Sequence, residues 1–502
     1  MIGIEKCLVP QGSPHAMDME AEAIAEQHAR GRLTARERME ILFDRGSFVE
    51  LEGDDSRKPD PASLAEGDGV VMGYGSVEGR VVFAYAKDMT VLKGTMAGEH
   101  GRKIAAIQQL ALNAGAPLVA LHDSSGTRLD QADAAYAAFG QQYRLAAAAR
   151  GVIPQIAVIL GACIGTDALL AATADFVFMA GADSAMVMGD SDMARIVAGE
   201  DVSAADMGGA EIHAATTGLA HAVFDNDIVA LRQTRRLLSF LPAGAGTASG
   251  WRSFDNPLRA EPSLDFLIPS DTTQPFDVKE VVEKVVDEGD FFELQASFAG
   301  NAVLGFARVD GRTVGVVANQ PAVLAGVLNA AAARKVARFV GQCDALGVPL
   351  LSFVDAGGFV PGRAEEHAGI VGHAASLMCA YARAKVPLVT VVLRKAHGAA
   401  GLAMGSGFVC ADVTFGWPQA SVGMMRAQDA TASDGDVQGD AACKPQAVPA
   451  GGAGACTSRE PLRSGGAGAI IAPAQTRRYI AQALSGGGKA RTANTSLERT
   501  PS

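Results

Sequence analysis

Two short turns rich in small residues have the composition of an anion-binding site. Each follows an apolar run that predicts a buried strand, at 152–160 and at 386–393, and each continues into a predicted helix. The turns are Gly165-Thr166 and Gly398-Ala399-Ala400. Peptide N–H groups at the start of a helix have no partner within it, so they can hold developing negative charge. This is the arrangement of an oxyanion hole, which would stabilise the enolate of a thioester.

Close packing of a helix on a strand would also explain either turn alone. Two turns at matching places in the chain favour the functional interpretation. Two glycine-containing loops form a second matched pair, DSSGTR (123–128) and DAGGFVPG (355–362), and each follows an apolar strand. Their glycines permit close approach of the backbone to a ligand, and Asp123 or Asp355 can cap its loop. Both loops are therefore candidate ligand-binding segments.

Other catalytic motifs are missing from the sequence. It contains no HExxH, no GxSxG and no Walker A loop. The nine histidines form no metal-ligand pattern, so we predict no metal site in this chain. His397, just before the second turn, is a candidate acid or base, and packing of the turn is the alternative interpretation. The chemistry then falls mainly to the backbone.

The elements that must position these features occur twice. In each half a strand pair is followed by a helix, a strand and its loop, a helix, and then the strand, turn and helix already described. Three pairs of residues are 232 or 233 positions apart: Arg102 and Arg334, Asp123 and Asp355, Gly165 and Gly398. This nearly constant spacing favours an internal duplication over two unrelated segments. We predict an α/β protein with two similar domains, each a spiral of β-β-α turns.

Shifts in composition predict the domain boundaries. Thr34 is a candidate N-cap for a helix at 33–45, with Glu37 at capping-box spacing. The predicted segments are an N-terminal arm and helical hairpin (1–66), a first domain (67–241), a linker (242–274), a second domain (275–427), a low-complexity and disordered run (428–467), and a C-terminal helix and tail (468–502).

Composition excludes several classes of function. The net charge of −12 argues against a nucleic-acid surface or a patch for anionic membranes. No window reaches the roughly 18 apolar residues of a membrane span, and no signal peptide is visible at the N-terminus. The seven cysteines are scattered without a CxxC pair, which is typical of reduced thiols in a cytoplasmic protein.

Several longer motifs resemble one known family. They include QHARGRLTARER (27–38), GSFVEL (46–51), HGRKI (100–104), VIPQIAVILG (152–161), ADFVFM (174–179), GFARVDGRTVGVVANQP (305–321) and PAQTRRYIAQAL (473–484). Together they resemble the carboxyltransferase (β) subunit of biotin-dependent acyl-CoA carboxylases of the propionyl-CoA type. The resemblance covers about residues 26–425 and 468–484. It implies two tandem crotonase-like (ClpP/crotonase) spiral domains related by duplication.

The resemblance also implies roles for the two halves. The first half would bind a short acyl-CoA, with Gly165-Thr166 at the thioester oxygen. The second half would bind carboxybiotin, with Gly398-Ala399-Ala400 at the ureido oxygen, and CO2 would pass from carboxybiotin to the enolate. The implied CoA-binding residues are Lys93, Gly94, Ser125, Gly126 and Arg128, and the implied biotin-binding residues are Gly357, Gly358 and Phe359.

The resemblance further implies a hexamer whose active sites lie between the first half of one subunit and the second half of another. The sequence shows neither an ATP-grasp pattern nor a Met-Lys-Met biotinylation site. A partner biotin carboxylase and biotin carrier are therefore expected to supply carboxybiotin.

The first turn departs from the family pattern, which has two adjacent glycines followed by a small residue. Threonine at position 166 is expected to conflict with a positive φ, and the carboxylate of Asp167 to repel an enolate. These departures leave two other interpretations open. One is an acyl-CoA decarboxylase of the same fold, and the other is a non-catalytic, degenerate carboxyltransferase-like subunit.

Overall fold

The computed structural model describes residues 14–51, 68–244, 253–269, 271, 274–424 and 469–485 of the 502-residue chain. It separates into two compact units, with the boundary between Ser249 and Gly250. That boundary falls inside the predicted linker, but the later part of the linker belongs to the second unit, because Leu264 is buried in its core. The predicted low-complexity run at 428–467 lies outside the described residues.

The first unit alternates helices and strands. In chain order its elements are α1 (Pro14–Ala29), α2 (Ala35–Leu42), β1 (Val49–Glu50), β2 (Val70–Val77), β3 (Arg80–Lys87), α3 (Gly98–Ala114), β4 (Leu118–His122), α4 (Ala132–Ala149), β5 (Gln155–Ile159), β6 (Ala162–Ile164), α5 (Thr166–Ala172), β7 (Phe176–Ala180), β8 (Ala185–Val187), α6 (Ser191–Met193), α7 (Ala204–Gly208), α8 (Ala210–Ile212), β9 (Ala222–Phe224) and α9 (Asp227–Phe240).

A mixed sheet of seven strands forms the centre of the first unit, in the order β1-β2-β3-β4-β5-β7-β9. The first three strands pair antiparallel, and from β3 onward the strands run parallel. β6 and β8 form a separate parallel pair. The Ser124 N–H donates to the Ala162 carbonyl (N···O 2.7 Å), which places the loop after β4 beside β6. The predicted glycine loop and the predicted first turn therefore lie at the same edge of the sheet.

The second unit repeats this order. Its elements are α10 (Leu264–Leu267), α11 (Val278–Val285), β10 (Phe292–Leu294), β11 (Ala302–Val309), β12 (Arg312–Asn319), α12 (Ala330–Leu346), β13 (Leu350–Ala356), α13 (Arg363–His367), α14 (Ile370–Arg383), β14 (Leu388–His397), α15 (Gly398–Ala403), β15 (Val413–Gly416), β16 (Ser421–Gly423), β17 (Ala469–Ile470) and α16 (Thr476–Ser485).

The sheet of the second unit has the order β10-β11-β12-β13-β14-β15-β17, with β16 paired to the end of β14. The sequence predicts a strand ending at 393 and a turn over 396–401, which is wrong by several residues. β14 continues to His397, and α15 begins at Gly398. Arg394, Lys395 and His397 extend the strand beyond its apolar run, and all three are buried.

Backbone conformation repeats at the same interval as the sequence. In the β2–β3 hairpin Glu78 has φ 51° and Gly79 has φ 76°, and 232 positions later Asp310 has φ 54° and Gly311 has φ 72°. Positive φ at both central residues is the signature of a type I′ two-residue hairpin turn. The agreement between the two hairpins supports the duplication inferred from residue spacing.

Apolar residues on both faces of the parallel strands form the cores. Every residue of β4, β5 and β7 is buried, as expected where helices cover both faces of a sheet. Across the described ranges, no helix has the length and hydrophobicity that a membrane crossing would need. Four cysteines in these ranges are free thiols, namely Cys163, Cys343, Cys379 and Cys410.

The N-terminal helical hairpin is anchored on the first unit. Thr34 and Glu37 form the predicted capping box at the start of α2. Arg38 on this helix is buried and donates to Asp227 of α9 (2.8 Å) and to Asp123 after β4 (2.9 Å). Asp123 therefore holds α2 in place through Arg38, and the same contact fixes the start of the loop at 123–128.

Candidate active site

The first predicted turn joins β6 to α5. Gly165 has φ 66° and ψ −127°, a conformation suited to glycine, and its N–H donates to the Val187 carbonyl (N···O 2.7 Å). The expected conflict at Thr166 does not arise, because the positive φ falls on Gly165 and Thr166 is the first helical residue. The Leu169 N–H is bonded to the Gly165 carbonyl. The amides without a partner inside the helix therefore begin at Thr166.

Asp167 turns its carboxylate into the interior of the first unit. Its Oδ1 atom lies 2.7 Å from the Lys87 ammonium, a charge contact without hydrogen-bond geometry, and Oδ2 lies 3.3 Å from Nδ1 of His122. All three side chains are at most 1% exposed. Burial alone would raise the pKa of Asp167, but the Lys87 ammonium and His122 outweigh it and hold the pKa well below its usual range. The Asp167 carboxylate is therefore ionised, and the Lys87 ammonium beside it balances its charge. The carboxylate that was expected to repel an enolate thus has a counter-charge inside the protein.

Cys163 and Tyr143 complete the surroundings of this turn. The Cys163 Sγ lies 3.6 Å from Asp167, and burial raises the pKa of the thiol well above its usual value. The Tyr143 hydroxyl donates to the Thr166 carbonyl (2.6 Å), and burial together with the Asp167 charge raises the pKa of this phenol to about 12. Tyr143 therefore fixes the start of α5 as a neutral donor.

His122, Cys163 and Asp167 place their possible ligand atoms within 4.8 Å of one another. This spacing, which sequence reasoning did not find, is one that a metal ion could use. Here the Lys87 ammonium already supplies the cation beside the carboxylate. We interpret the cluster as ion-paired, and the predicted lack of a metal stays a prediction.

The residues predicted to bind CoA are brought together at one edge of the first sheet. Lys93 (φ 54°) and Gly94 (φ 61°) form a tight turn, and the Lys93 carbonyl accepts from the Ser125 N–H (3.1 Å). The Gly126 carbonyl accepts from the Met96 N–H (2.8 Å). The Arg128 guanidinium donates to the backbone carbonyl of Asp68 and to the hydroxyl of Thr95. A Cβ at Gly94 would lie 2.5 Å from the Asp123 carbonyl, so the two loops touch.

The second predicted turn joins β14 to α15. Gly398 has φ 57°, and Ala399 and Ala400 follow as helical residues whose amides have no acceptor within the helix. Gly401 lets the helix pack closely on the strand, because a Cβ there would lie 2.4 Å from the Ala396 backbone. Glycine turns therefore begin α5 and α15 in the same way.

An apolar cavity of about 230 Å³ opens beside the second turn. Gly398 and Leu402 line it from the turn and helix, and Phe408 and Met424, both exposed, also line it. The rest of its wall comes from Val354, Thr390, Val392, Ala396, Gly401, Ser406, Gly407, Thr414, Val422 and Gly423. The wall is mostly hydrocarbon, so the cavity suits a small uncharged group placed against the turn.

The loop predicted to bind biotin follows β13. The Gly358 carbonyl accepts from the Leu328 N–H (3.0 Å), and Phe359 pairs with the same residue. Asp355, two residues before Gly357, is buried and accepts from Arg394 of β14 (2.8 Å). The loop is thereby tied to the strand that carries the second turn, but residues 357–359 do not line the cavity.

His397 lies on the face of β14 opposite the cavity, since its neighbour Ala396 lines the cavity and successive strand residues alternate. Its Nε2 atom is 3.1 Å from the Ser421 hydroxyl, and the side chain is buried. The structure supports the packing interpretation of His397 rather than acid–base chemistry.

Lys87 and His122 are the residues of this region that the sequence analysis missed. Each is the polar last residue of a largely apolar strand, β3 or β4. That position was a signal, since the carboxyl ends of neighbouring parallel strands meet at one edge of the sheet. Their common partner, Asp167, is 80 and 45 positions away in the chain, so their contact could not be found by local spacing.

Comparison with known proteins identifies the family. The model for the carboxyl transferase domain matches residues 26–433. A propionyl-CoA carboxylase beta chain from Roseobacter denitrificans is 44% identical over 413 residues, which is 81% of this chain and 81% of that protein. The alpha subunit of a methylmalonyl-CoA decarboxylase from Veillonella parvula is 40% identical and covers 80% of each chain. This chain belongs to the carboxyl transferase domain family.

A solved structure agrees in fold with this chain. The hexameric transcarboxylase 12S, determined with hydrolysed methylmalonyl-coenzyme A bound, has a TM-score of 0.88 and 34% identity, and the match covers 97% of this chain and 96% of that one. The resemblance to carboxyltransferase β subunits and the crotonase-like α/β fold are confirmed.

Proposed function

We propose that the chain is the carboxyltransferase subunit of a biotin-dependent acyl-CoA carboxylase that acts on a short acyl-CoA such as propionyl-CoA. The observation that carries the proposal is the pair of glycine turns, each at the start of a helix and each in its own crotonase-like unit. Two carbonyl-type oxygens take part in the transfer, one on the thioester and one on biotin. One turn is available for each.

The reaction needs no side-chain base in this scheme. Carboxybiotin held at the second turn would supply the CO2 and, at its ring nitrogen, the base for the α-proton of the acyl-CoA. The resulting enolate attacks CO2 and forms the new carbon–carbon bond. Amides from Thr166 onward stabilise the enolate oxygen, and those of Ala399 and Ala400 stabilise the ureido oxygen. In other enzymes, loss of one such donor costs about 3–4 kcal/mol of transition-state stabilisation.

The remaining predicted residues hold the two substrates. The loops around Lys93-Gly94 and Ser125-Gly126 would contact CoA, with Arg128 fixing their shape from behind. The apolar cavity beside Gly398 would receive the biotin ring or the acyl end. Gly357, Gly358 and Phe359 would contact biotin outside the cavity. The hydrogen bond from Arg394 of β14 to Asp355 supports this role, because it ties their loop to the strand that carries the second turn.

Carboxybiotin would be supplied by a partner biotin carboxylase and carrier protein, and the subunits would form a hexamer in the cytoplasm. The hexameric transcarboxylase neighbour supports the assembly, and the free thiols among the described cysteines support a reducing compartment. The similarity to a decarboxylase subunit makes it necessary to assay both directions of the reaction.

The test combines the purified chain with a biotinylated carrier, a biotin carboxylase, ATP, bicarbonate and propionyl-CoA. Mass spectrometry should detect methylmalonyl-CoA, and avidin should abolish it. Loss of CO2 from methylmalonyl-CoA without any forward product would identify a decarboxylase instead. If neither reaction occurs while the chain still binds the carrier, the subunit is non-catalytic and the proposal fails.

A further inference from the structure

We propose that Lys87 is a positioning residue that keeps the carboxylate of Asp167 away from the amides of the first turn. The inference rests on the proposed function, because it assigns Lys87 to the thioester half of that reaction. Asp167 is the second residue of α5. A carboxylate in the first turn of a helix is attracted to the unpartnered amides at the start of that helix. An enolate oxygen bound there would need those donors.

In this structure the carboxylate is directed elsewhere. One oxygen lies 2.7 Å from the Lys87 ammonium, and the other lies 3.3 Å from His122 and 3.6 Å from the Cys163 sulfur. The side chain of Asp167 is completely buried, so water does not solvate its charge. The contacts of this carboxylate therefore all point into the protein and leave the start of the helix open.

Lys87 is held in a fixed position beside one carboxylate, that of Asp167. It is the last residue of β3, and its side chain is fully buried. Among the residues that the structure describes, its Nζ atom has no hydrogen-bond acceptor, and the Asp167 carboxylate is the charge beside it. A buried ammonium is costly without an opposite charge. Pairing with Asp167 accounts for its presence.

Removing the cation would change what the carboxylate does. Without Lys87 the buried carboxylate would lose its cation and keep only His122 and Cys163 beside one oxygen, which would destabilise it strongly. The nearest further donors in the sequence are the amides at the start of its own helix. There it would compete with the thioester oxygen and repel an enolate. Lys87 thus allows an acidic residue to stand in an oxyanion turn.

The test measures binding of two CoA ligands to the full chain, without a partner protein, and the ligands differ in charge only at the position of the thioester oxygen. The probes are propionyl-CoA and a nitronate analogue of it, which carries negative charge where the enolate oxygen would be. The variants are Lys87→Met, Asp167→Ala and the double variant. Calorimetry gives the ratio of the two dissociation constants, which is the preference for the anion.

The two single variants are matched, because each removes one member of the buried Lys87–Asp167 ion pair. We expect Lys87→Met to lose about 100-fold of the preference for the nitronate, the scale of one oxyanion donor. Asp167→Ala and the double variant should keep the preference within about fivefold. Arg477→Met removes an equally buried cation in the second unit, and should lower stability without altering the preference.

Equal loss of preference in both single variants would show that the cluster is only structural and would overturn the proposal. If Lys87→Met does not fold, the double variant decides, because it is uncharged at both positions. A folded double variant without the preference also overturns the proposal. If the wild-type chain itself shows no preference for the nitronate, the proposed function of the first turn is wrong. That result differs from the two outcomes above, in which the wild-type chain prefers the nitronate and only the role of Lys87 fails.

Discussion

Gly401 shows how a single missing side chain sets the geometry of the second turn. An added Cβ would meet the Ala396 backbone at 2.4 Å, inside van der Waals contact. We predict that Gly401→Ala lowers the free energy of unfolding by about 1–3 kcal/mol, because α15 must shift from β14. Urea denaturation of the full chain measures this change.

Gly372 provides the matched control for that substitution. It lies within α14, and an added Cβ there has no neighbour within 4 Å. Gly372→Ala should therefore leave stability unchanged or raise it by about 0.5–1 kcal/mol. Equal effects of the two substitutions would refute the close-packing role of Gly401.

His100 predicts an acid-sensitive contribution to stability. It is fully buried, its Nδ1 is 2.9 Å from the Asp68 carbonyl, and burial together with the Lys87 charge lowers its pKa to about 3. The unfolded chain binds this proton near pH 6.5. Between pH 6.5 and 3 the unfolded state therefore holds more protons, and stability falls with decreasing pH by up to about 1.4 kcal/mol per unit.

Substitution of His100 by Asn should flatten this acid limb, since the proton uptake on unfolding is lost. His367 is exposed, and His367→Asn is the control that should leave the limb unchanged. Unfolding curves between pH 4 and 7 make the comparison. A His100→Asn variant with an unaltered pH slope would exclude His100 as the source.

At the scale of elements, a buried arginine contributes to holding α16, the last of the described helices, on the second unit. Arg477 of α16 donates to the carbonyls of Asn256 (3.0 Å) and Val285 (2.8 Å) and to the carboxylate of Asp287 (2.6 Å). We predict that Arg477→Met lowers the free energy of unfolding by about 3–5 kcal/mol, because it leaves Asp287 buried and unpaired.

Arg478 on the same helix is the control, because the neighbouring residue lies on the exposed face. Arg478→Met should change stability by less than about 0.5 kcal/mol. Thermal unfolding monitored by circular dichroism would show the difference. Similar destabilisation by both substitutions would mean that the helix is held by general packing instead.

Local sequence signals placed most elements correctly where the signal was itself local. The capping box at Thr34 and Glu37 is an example, because its two residues lie three positions apart. The end of β14 was misplaced because its polar residues are paired by distant groups, such as Asp355 with Arg394. The Lys87–Asp167 contact could not be predicted for the same reason.

At the scale of the whole molecule, the duplication provides two similar devices for two different ligands. We predict that Gly165→Ala and Gly398→Ala each abolish carboxyl transfer, but by separate defects. Each forces alanine into a positive φ at a cost of about 1–2 kcal/mol. Gly165→Ala should weaken binding of the nitronate analogue and leave binding of the biotinylated carrier unchanged. Gly398→Ala should weaken binding of the carrier and leave binding of the analogue unchanged.

Gly181→Ala controls for backbone strain, since Gly181 has φ 77° and no atom near an added Cβ. Gly181→Ala should lower the stability of the chain without weakening binding of either ligand. Surface binding assays for the carrier and calorimetry for the analogue measure the two effects. If both turn variants weakened the same ligand, the division of roles between the units would be wrong.

The buried pair at Lys87 and Asp167 also constrains how this sequence can evolve. Changing either residue alone strands a charge in the interior, whereas exchanging both for uncharged residues removes the problem. The single-step intermediates are therefore the least fit genotypes on the route. Among descendants of this gene, the two positions should be inherited together, charged in both or in neither.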